Sequence, residues 1–348
     1  MIRFECDYLE GAHPEVLKLL NESNFEQTPG YGVDVYCNKA RDIIRNLCNS
    51  KDADVHFLVG GTQVNKTVIA SILRPYQGVV CAETGHINVH ETGAIENTGH
   101  KVLPLKSENG KITAQQVEYE YKKHWEDENH EHIVQPGMVY ISHPTENGTL
   151  YSKEELTALS NMCKKYNLPL FLDGARLGYG LTAEGTDLTI SDIAALCDVF
   201  YIGGTKVGAL FGEAVVIVNS LLKRDFRYFI KQQGGMLAKG RLLGIQFIAL
   251  LENNLYFEIS KHANKMAMKI KEAFKKKNIP FLFESFTNQQ FPILSQDQIK
   301  RLKEKYAFSF WEKIDNEHSA VRFCTSWATK EEDVEKLIQD IKEIIDFS

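Results

Sequence analysis

Residues 168–180 read LPLFLDGARLGYG. A short apolar run, Leu170 to Leu172, reads as a buried strand, and it ends on an acid, Asp173, followed by Gly174, Ala175 and Arg176. In a parallel α/β sheet, ligands sit beyond the carboxyl ends of the strands, where this carboxylate would stand. A plainer role for Asp173 is capping the turn that follows. The neighbours on either side extend the pattern. Upstream, Met138 to Ser142 reads as strand and Lys153 to Tyr166 as helix; downstream, Val199 to Ile202 and Ala214 to Val218 read as strands. Further back lie a strand at Asp54 to Leu58, a helix at Gln63 to Leu73, strands at Val79 to Ala82 and Lys101 to Leu105, and a helix at Thr113 to Trp125. Alternation of this kind predicts an α/β domain with a mostly parallel sheet.

After Gly244 the texture changes. Helical pattern dominates to Lys277, with one long helix around 240 to 260 expected to bridge two halves. Pro280 stops it. Short strands are expected at Phe281 to Glu284, Ala307 to Trp311 and Ala320 to Thr325, with a closing amphipathic helix from Lys330. The chain therefore divides into a large domain, 1–245, and a smaller α+β domain, 246–348.

Composition narrows the class. The 348 residues carry 43% hydrophobic and 25% charged side chains and a formal net charge of −6, values of a folded globular protein. A mildly acidic chain offers no basic footprint for nucleic acid and no polybasic membrane anchor. Acidic residues break the N-terminal stretch, which lacks a signal peptide's apolar core. Leu242 to Leu251 is too short to span a bilayer. Seven cysteines without a C-x-x-C pair read as reduced thiols, which points to the cytoplasm.

Four segments carry chemistry. In FLVGGTQVNKTVI (57–69) a strand runs into Gly60, Gly61 and Thr62 and then a helix, a place where backbone N–H groups can meet a phosphate. A tight turn with Thr62 as helix cap would look the same. LDGA supplies Asp173. In DVFYIGGTKVGALFGEAVV (198–216), Lys206 follows two glycines and a threonine between apolar strands. A desolvated amine there could act as nucleophile or form a Schiff base; a hairpin-tip lysine is the plainer alternative. In VRFCTSW (321–327), Arg322 could grip a carboxylate bidentately, or be a surface strand arginine. Together these are the groups a pyridoxal 5'-phosphate (PLP) enzyme needs. An aspartate faces the pyridine nitrogen, a lysine holds the aldehyde, a glycine turn holds the phosphate, and an arginine holds the substrate carboxylate.

The sequence resembles the threonine aldolase group of the β-eliminating lyase family, within the aspartate-aminotransferase-like (fold type I) PLP enzymes. The likeness runs through DYLEGAHPEVL, YGVD, GGTQVN, ETGHINVHETGAIENTGHKV, HPTENGTLYS, LDGARL, GGTKVGALFGEAVV, GGMLAKG and VRFCTSW. It implies cleavage of threonine or allo-threonine to glycine and acetaldehyde, with β-elimination or dehydration of another amino acid as the rival. It implies that Gly61 and Thr62 hold the cofactor phosphate and that His86 stacks on its ring. Asp173 would bind the ring nitrogen, Arg176 would lie beside the cofactor, Lys206 would carry it, and Arg322 would bind the substrate carboxylate. His86 is one candidate base. Glu91 serves the substrate pocket or a structural hydrogen bond. The resemblance also implies a homodimer or homotetramer with sites at the dimer interface. The sequence departs from it at Leu237, where many such enzymes place an arginine; Lys239 or Arg241 could supply the charge. At the N-terminus, Cys6-Asp7-Tyr8 replaces a serine-led motif. His86, His90 and Glu91 are not spaced as a metal site, and none is expected. The segment His124 to His132 reads as a solvated, charged connection.

Overall fold

The computed structural model describes residues 1–345. After a two-residue strand β1 (Ile2–Arg3), seven strands build the central sheet: β2 (Asp54–Leu58), β3 (Gln77–Ala82), β4 (Lys101–Leu105), β5 (Gln135–Ser142), β6 (Leu170–Asp173), β7 (Val199–Gly203) and β8 (Glu213–Ile217). Their order is β2-β8-β7-β6-β5-β3-β4. All neighbours are parallel except β8, which runs against both β2 and β7. The two faces of the sheet separate with the period of two expected of a strand. Val139, Ile141, Leu170, Leu172, Phe200 and Ile202 pack to one side. Met138, Tyr140, Phe171, Val199 and Tyr201 pack to the other, against Val64, Val68 and Ile69 of the helix Gly61–Ile72. Helices covering both faces explain why these strands read as unbroken apolar runs.

The helices start where the sequence provides caps. Thr113 with Gln116, and Ser152 with Glu155, form reciprocal capping boxes for Ala114–Glu126 and Lys153–Lys165. The helix expected to bridge the two halves is broken. Arg241–Leu251 packs in the large core, Asn254 turns with φ of 61°, and Leu255–Lys275 follows as a separate helix. The second helix touches the large core through Tyr256, Ile259 and Ala263 and the small one through Met266, Ile270 and Phe274.

The small unit holds β9 (Gln289–Gln290), β10 (Ile293–Ser295), β11 (Tyr306–Ala307), β12 (Ser309–Lys313) and β13 (His318–Cys324), closed by the helix Glu331–Ile345. The expected strand at Phe281 to Glu284 is absent. Phe281 makes one isolated bridge to Pro292, and the pairing with β13 falls instead to Gln289 and Gln290. Aromatic residues at 281 and 283 carry the strand signal, but their rings serve packing against Phe274 and Phe291. The N-terminus crosses between the units: β1 pairs with β11, and Phe4 exchanges backbone bonds with Ala307 and Cys324. This threads Asp7 into the large unit. His124, expected in a solvated connection, is buried, edge-on to Trp125. Among the described residues, no helix is long and apolar enough to cross a membrane.

Candidate active site

The carboxyl ends of β5, β6 and β7, with the turn after β2, enclose a cavity of about 280 Å³. Its close walls depend on two glycines. A Cβ on Gly174 would lie 1.9 Å from the carbonyl oxygen of Tyr201, and one on Gly203 would lie 2.3 Å from that of Ala175. Only glycines let the turns after β6 and β7 approach this closely.

Asp173 is buried and fully engaged. Tyr201 Oη donates to its Oδ1 at 2.5 Å and the Ala175 N–H at 3.0 Å; Tyr140 Oη donates to Oδ2 at 2.6 Å and Asn65 Nδ2 at 3.0 Å. Burial alone would raise its pKa. The nearby His86 and the two tyrosine hydroxyls outweigh burial and hold the carboxyl below its usual range. Asn65 Nδ2 also donates to Glu91 Oε1 at 2.7 Å, and the same oxygen meets His86 Nδ1 at 2.7 Å. Glu91 thus stands behind His86 and lines neither this cavity nor the one that adjoins it. Burial lowers the His86 pKa, but the Glu91 bond and the Asp173 charge prevail and raise it.

Lys206 lies in the loop between the antiparallel β7 and β8, as a hairpin lysine would, and it lines the cavity. Burial, and next the Arg176 charge, lower its pKa, favouring the neutral, nucleophilic amine. Glu213, which opens β8, lines the same wall and accepts a bond from the Gly204 N–H at 2.9 Å. Burial pushes its pKa up to about 8.

Arg176 makes a bidentate pair with Asp7, at 2.7 and 3.0 Å, with Asn288 Nδ2 2.9 Å from the same carboxylate. Burial would lower the guanidinium's pKa; the Asp7 charge reverses this and raises it. Arg176 therefore comes with its own counter-ion. Arg322, mid-strand in β13, opens onto an adjoining outer cavity of about 490 Å³ that shares Tyr8, His86, Glu146, Arg176 and Lys206 with the inner one. It donates to Gln289 Oε1 at 3.2 Å and to the Glu5 carbonyl at 2.9 Å, while its buried Nε has no partner among the described residues.

Gly61 and Thr62 line the inner cavity at the start of the helix Gly61–Ile72. The cap residue is Gly60, with no side-chain cap bond, so Thr62 is not the cap. A Cβ on Gly60 would meet nothing within 4 Å, which leaves an open cradle of first-turn N–H groups. An amine whose pKa burial lowers, an ionised carboxylate and an anion cradle lining one cavity fit PLP by their chemistry. At the departure point, Leu237 packs against the large core, and Arg241 is spent on the carbonyls of Asn24 and Glu26.

Three site residues escaped the sequence reading: Asn65, Glu146 and Glu213. Each lies inside a quoted motif, but nothing in the residue type distinguished it from a helix or turn residue. The flanking tyrosines were hidden as strand residues. Among the described residues no group of three His, Cys, Asp or Glu side chains gathers as metal ligands.

Comparison with known proteins agrees with this geometry. The chain is 31% identical to the low specificity L-threonine aldolase of a Pseudomonas species over 99% of this chain and 98% of that one. A Leishmania major threonine aldolase structure superposes with a TM-score of 0.96 at 43% identity, covering 99% of this chain and 100% of that one. A mutant Thermus thermophilus aspartate aminotransferase shares the fold alone, with a TM-score of 0.72 at 14% identity over 99% of this chain and 96% of that one. The fold is aspartate-aminotransferase-like, residues 15–297 match the family described as beta-eliminating lyase, and the chain belongs to that family.

Proposed function

We propose that this chain is a PLP-dependent carbon–carbon lyase that cleaves threonine or allo-threonine to glycine and acetaldehyde. The observation that carries the reading is the convergence of Lys206, Asp173 and the Gly60–Thr62 cradle on one cavity, with Arg322 facing the adjoining one. Bound PLP supplies an aldehyde that condenses with amines and a ring that accepts electrons. Gly61 and Thr62 would hold its phosphate, His86 would cover its ring, and the ionised Asp173 would keep the ring nitrogen protonated. The amine of Lys206, its pKa lowered by burial, would attach it and release it to substrate. Arg322 would anchor the substrate carboxylate, while Arg176, neutralised by Asp7, would flank the cofactor without attracting a second anion. His86 is held by Glu91, and both serve orientation.

The same reading makes the chain a homo-oligomer. Exposed Tyr31, Val33, Val35 and Tyr228 are apolar surface that a second copy would cover, and sedimentation at graded concentration would measure it. Seven free cysteines suit a reducing compartment such as the cytoplasm. The deciding experiment is incubation of the PLP-loaded protein with L-threonine and L-allo-threonine, with products identified by NMR. Glycine and acetaldehyde are expected. Formation of 2-oxobutanoate and ammonia would replace the reading with dehydration.

A further inference from the structure

We propose that Glu146 is the acid–base group that takes the substrate's β-hydroxyl proton, an inference that rests on the aldol-cleavage reading above. The β-hydroxyl is carried on Cβ, which, like the amine and the carboxylate, branches from Cα, so a base for it belongs near the wall shared by the Lys206 and Arg322 cavities. Five carboxyls stand nearby, and four are committed elsewhere. Asp173 has both oxygens occupied by Tyr140, Tyr201, Asn65 and the Ala175 N–H. Asp7 is paired to Arg176 through both oxygens. Glu91 lies behind His86 and lines neither cavity. Glu213 lines only the inner one, against the Lys206 loop.

Glu146 lines both. Its Oε1 is fixed by Ser142 Oγ at 2.6 Å and by the His86 N–H at 3.0 Å. Both of these bonds end on Oε1, so one oxygen anchors the group at the wall the two cavities share and leaves Oε2 for the substrate. Burial, and after it the repulsion of Asp173, raise the pKa of this carboxyl against the Ser142 bond; a base poised nearer neutral pH transfers protons more efficiently. His86 is the weaker candidate. Its Nδ1 is tied to Glu91 Oε1 at 2.7 Å, which commits that nitrogen to orienting the ring.

The step balances within the substrate. As the Cα–Cβ bond opens, the hydroxyl proton passes to Glu146 Oε2. The O–H electron pair becomes the second C–O bond of the departing aldehyde. The Cα–Cβ pair stays with the glycine fragment until a proton joins Cα. One proton leaves oxygen, one arrives at carbon, and no oxidant or reductant is needed.

The test compares wild-type and Glu146→Gln holoenzymes. The amide keeps an oxygen for Ser142 and the His86 N–H but cannot accept the proton. Cleavage of the preferred threonine isomer should fall by about 10²- to 10⁴-fold in kcat. Two other readouts should stay at the wild-type level. These are PLP affinity, from fluorescence titration of the cofactor-free variant, and deuterium exchange at glycine Cα, read by NMR. Glycine has no β-hydroxyl, so its exchange needs no such base. Cleavage at the wild-type rate, or cleavage and glycine exchange falling together, would overturn the assignment and leave the aldolase reading standing. A wild-type enzyme that cleaves neither isomer overturns the reading, and this assignment with it.

Discussion

Glu213 gives the sharpest test of the site's electrostatics. Its side chain is buried, and burial moves its pKa from the ordinary 4.5 up to about 8. Between those values the folded chain keeps a proton that the unfolded chain has released. Stability is therefore lost progressively as pH rises from 4.5 and is fully lost above about 8. A shift of about 3.5 units at 1.36 kcal/mol each sets a ceiling of about 5 kcal/mol. Lys206 works in the opposite sense. Its folded pKa is lowered, so the unfolded chain binds the extra proton and stability grows with pH once the folded amine has deprotonated. Glu213→Gln removes the first contribution and leaves the second. The amide oxygen still accepts the Gly204 N–H, and any packing difference is independent of pH. Thermal midpoints of the two cofactor-free proteins should therefore be compared at pH 5 and pH 7.5, at equal protomer concentration. The variant's advantage should be larger at the higher pH by about 2–4 kcal/mol, which is several degrees in Tm. A difference that is the same at both pH values would show that Glu213 does not carry a raised pKa in the folded chain.

Three further outcomes are expected. Asp7→Asn leaves the buried Arg176 guanidinium without its counter-ion and should cost about 3–5 kcal/mol in denaturant or thermal unfolding. The carboxylate's lowered pKa means that the Asp7 contribution is present above the ordinary 3.8 and is lost as pH falls through the depressed folded value, so the variant should lack that acid-limb dependence. Gly174→Ala places a Cβ 1.9 Å from the Tyr201 carbonyl oxygen, a contact only backbone movement can relieve; both Tm and PLP affinity should fall, and an unchanged Tm would refute the close packing of the two turns. Lys206→Ala protein should release PLP on dialysis after borohydride treatment, whereas wild-type protein should retain it covalently, as mass spectrometry would show.

The central strands were legible because parallel strands covered on both faces are unbroken apolar runs, and the predicted edge strands Asp54–Leu58 and Lys101–Leu105 also match their observed ends. The smaller unit was less so. Its strands are two to seven residues long, and aromatic spacing at 281 and 283 mimicked a strand that packing had claimed for other purposes. Within the site, Asp173 and Lys206 stood out because one ends an apolar strand and the other follows a Gly-Gly-Thr turn between two apolar strands, places where a charge is unusual. Asn65 was not, since it occupies a helix whose outward face has several polar residues. Its role depends on β6 and the His86 segment meeting at that helix, a fact of strand order and not of local sequence. Glu91 was half legible: its motif marked it, but its contact with His86 Nδ1 depends on how the chain folds and is not written in the local sequence.

Strand order also arranges the charges. Glu213 pairs in register with Leu58, two residues before the Gly60–Thr62 cradle, so this carboxyl stands beside the place proposed for a phosphate. An ionised Glu213 would repel that anion; a protonated one would not. Asp173 lies two strands away on β6, ringed by four donors that favour its charge, where a protonated ring nitrogen would need it. The same residue class is thus neutral at one end of the cavity and ionised at the other, because one carboxyl is buried with few donors and its counterpart with many. Lys206 lines the same cavity, and a neutral Glu213 removes one of the charges that, after Asp7 and Asp173, raise the pKa of its amine. Anion binding at the cradle would press Glu213 further toward its neutral form, so cofactor affinity should weaken as pH rises through about 8 in wild type and do so less in Glu213→Gln, which fluorescence titration would measure. Equal weakening in both proteins would place the pH-sensitive charge elsewhere.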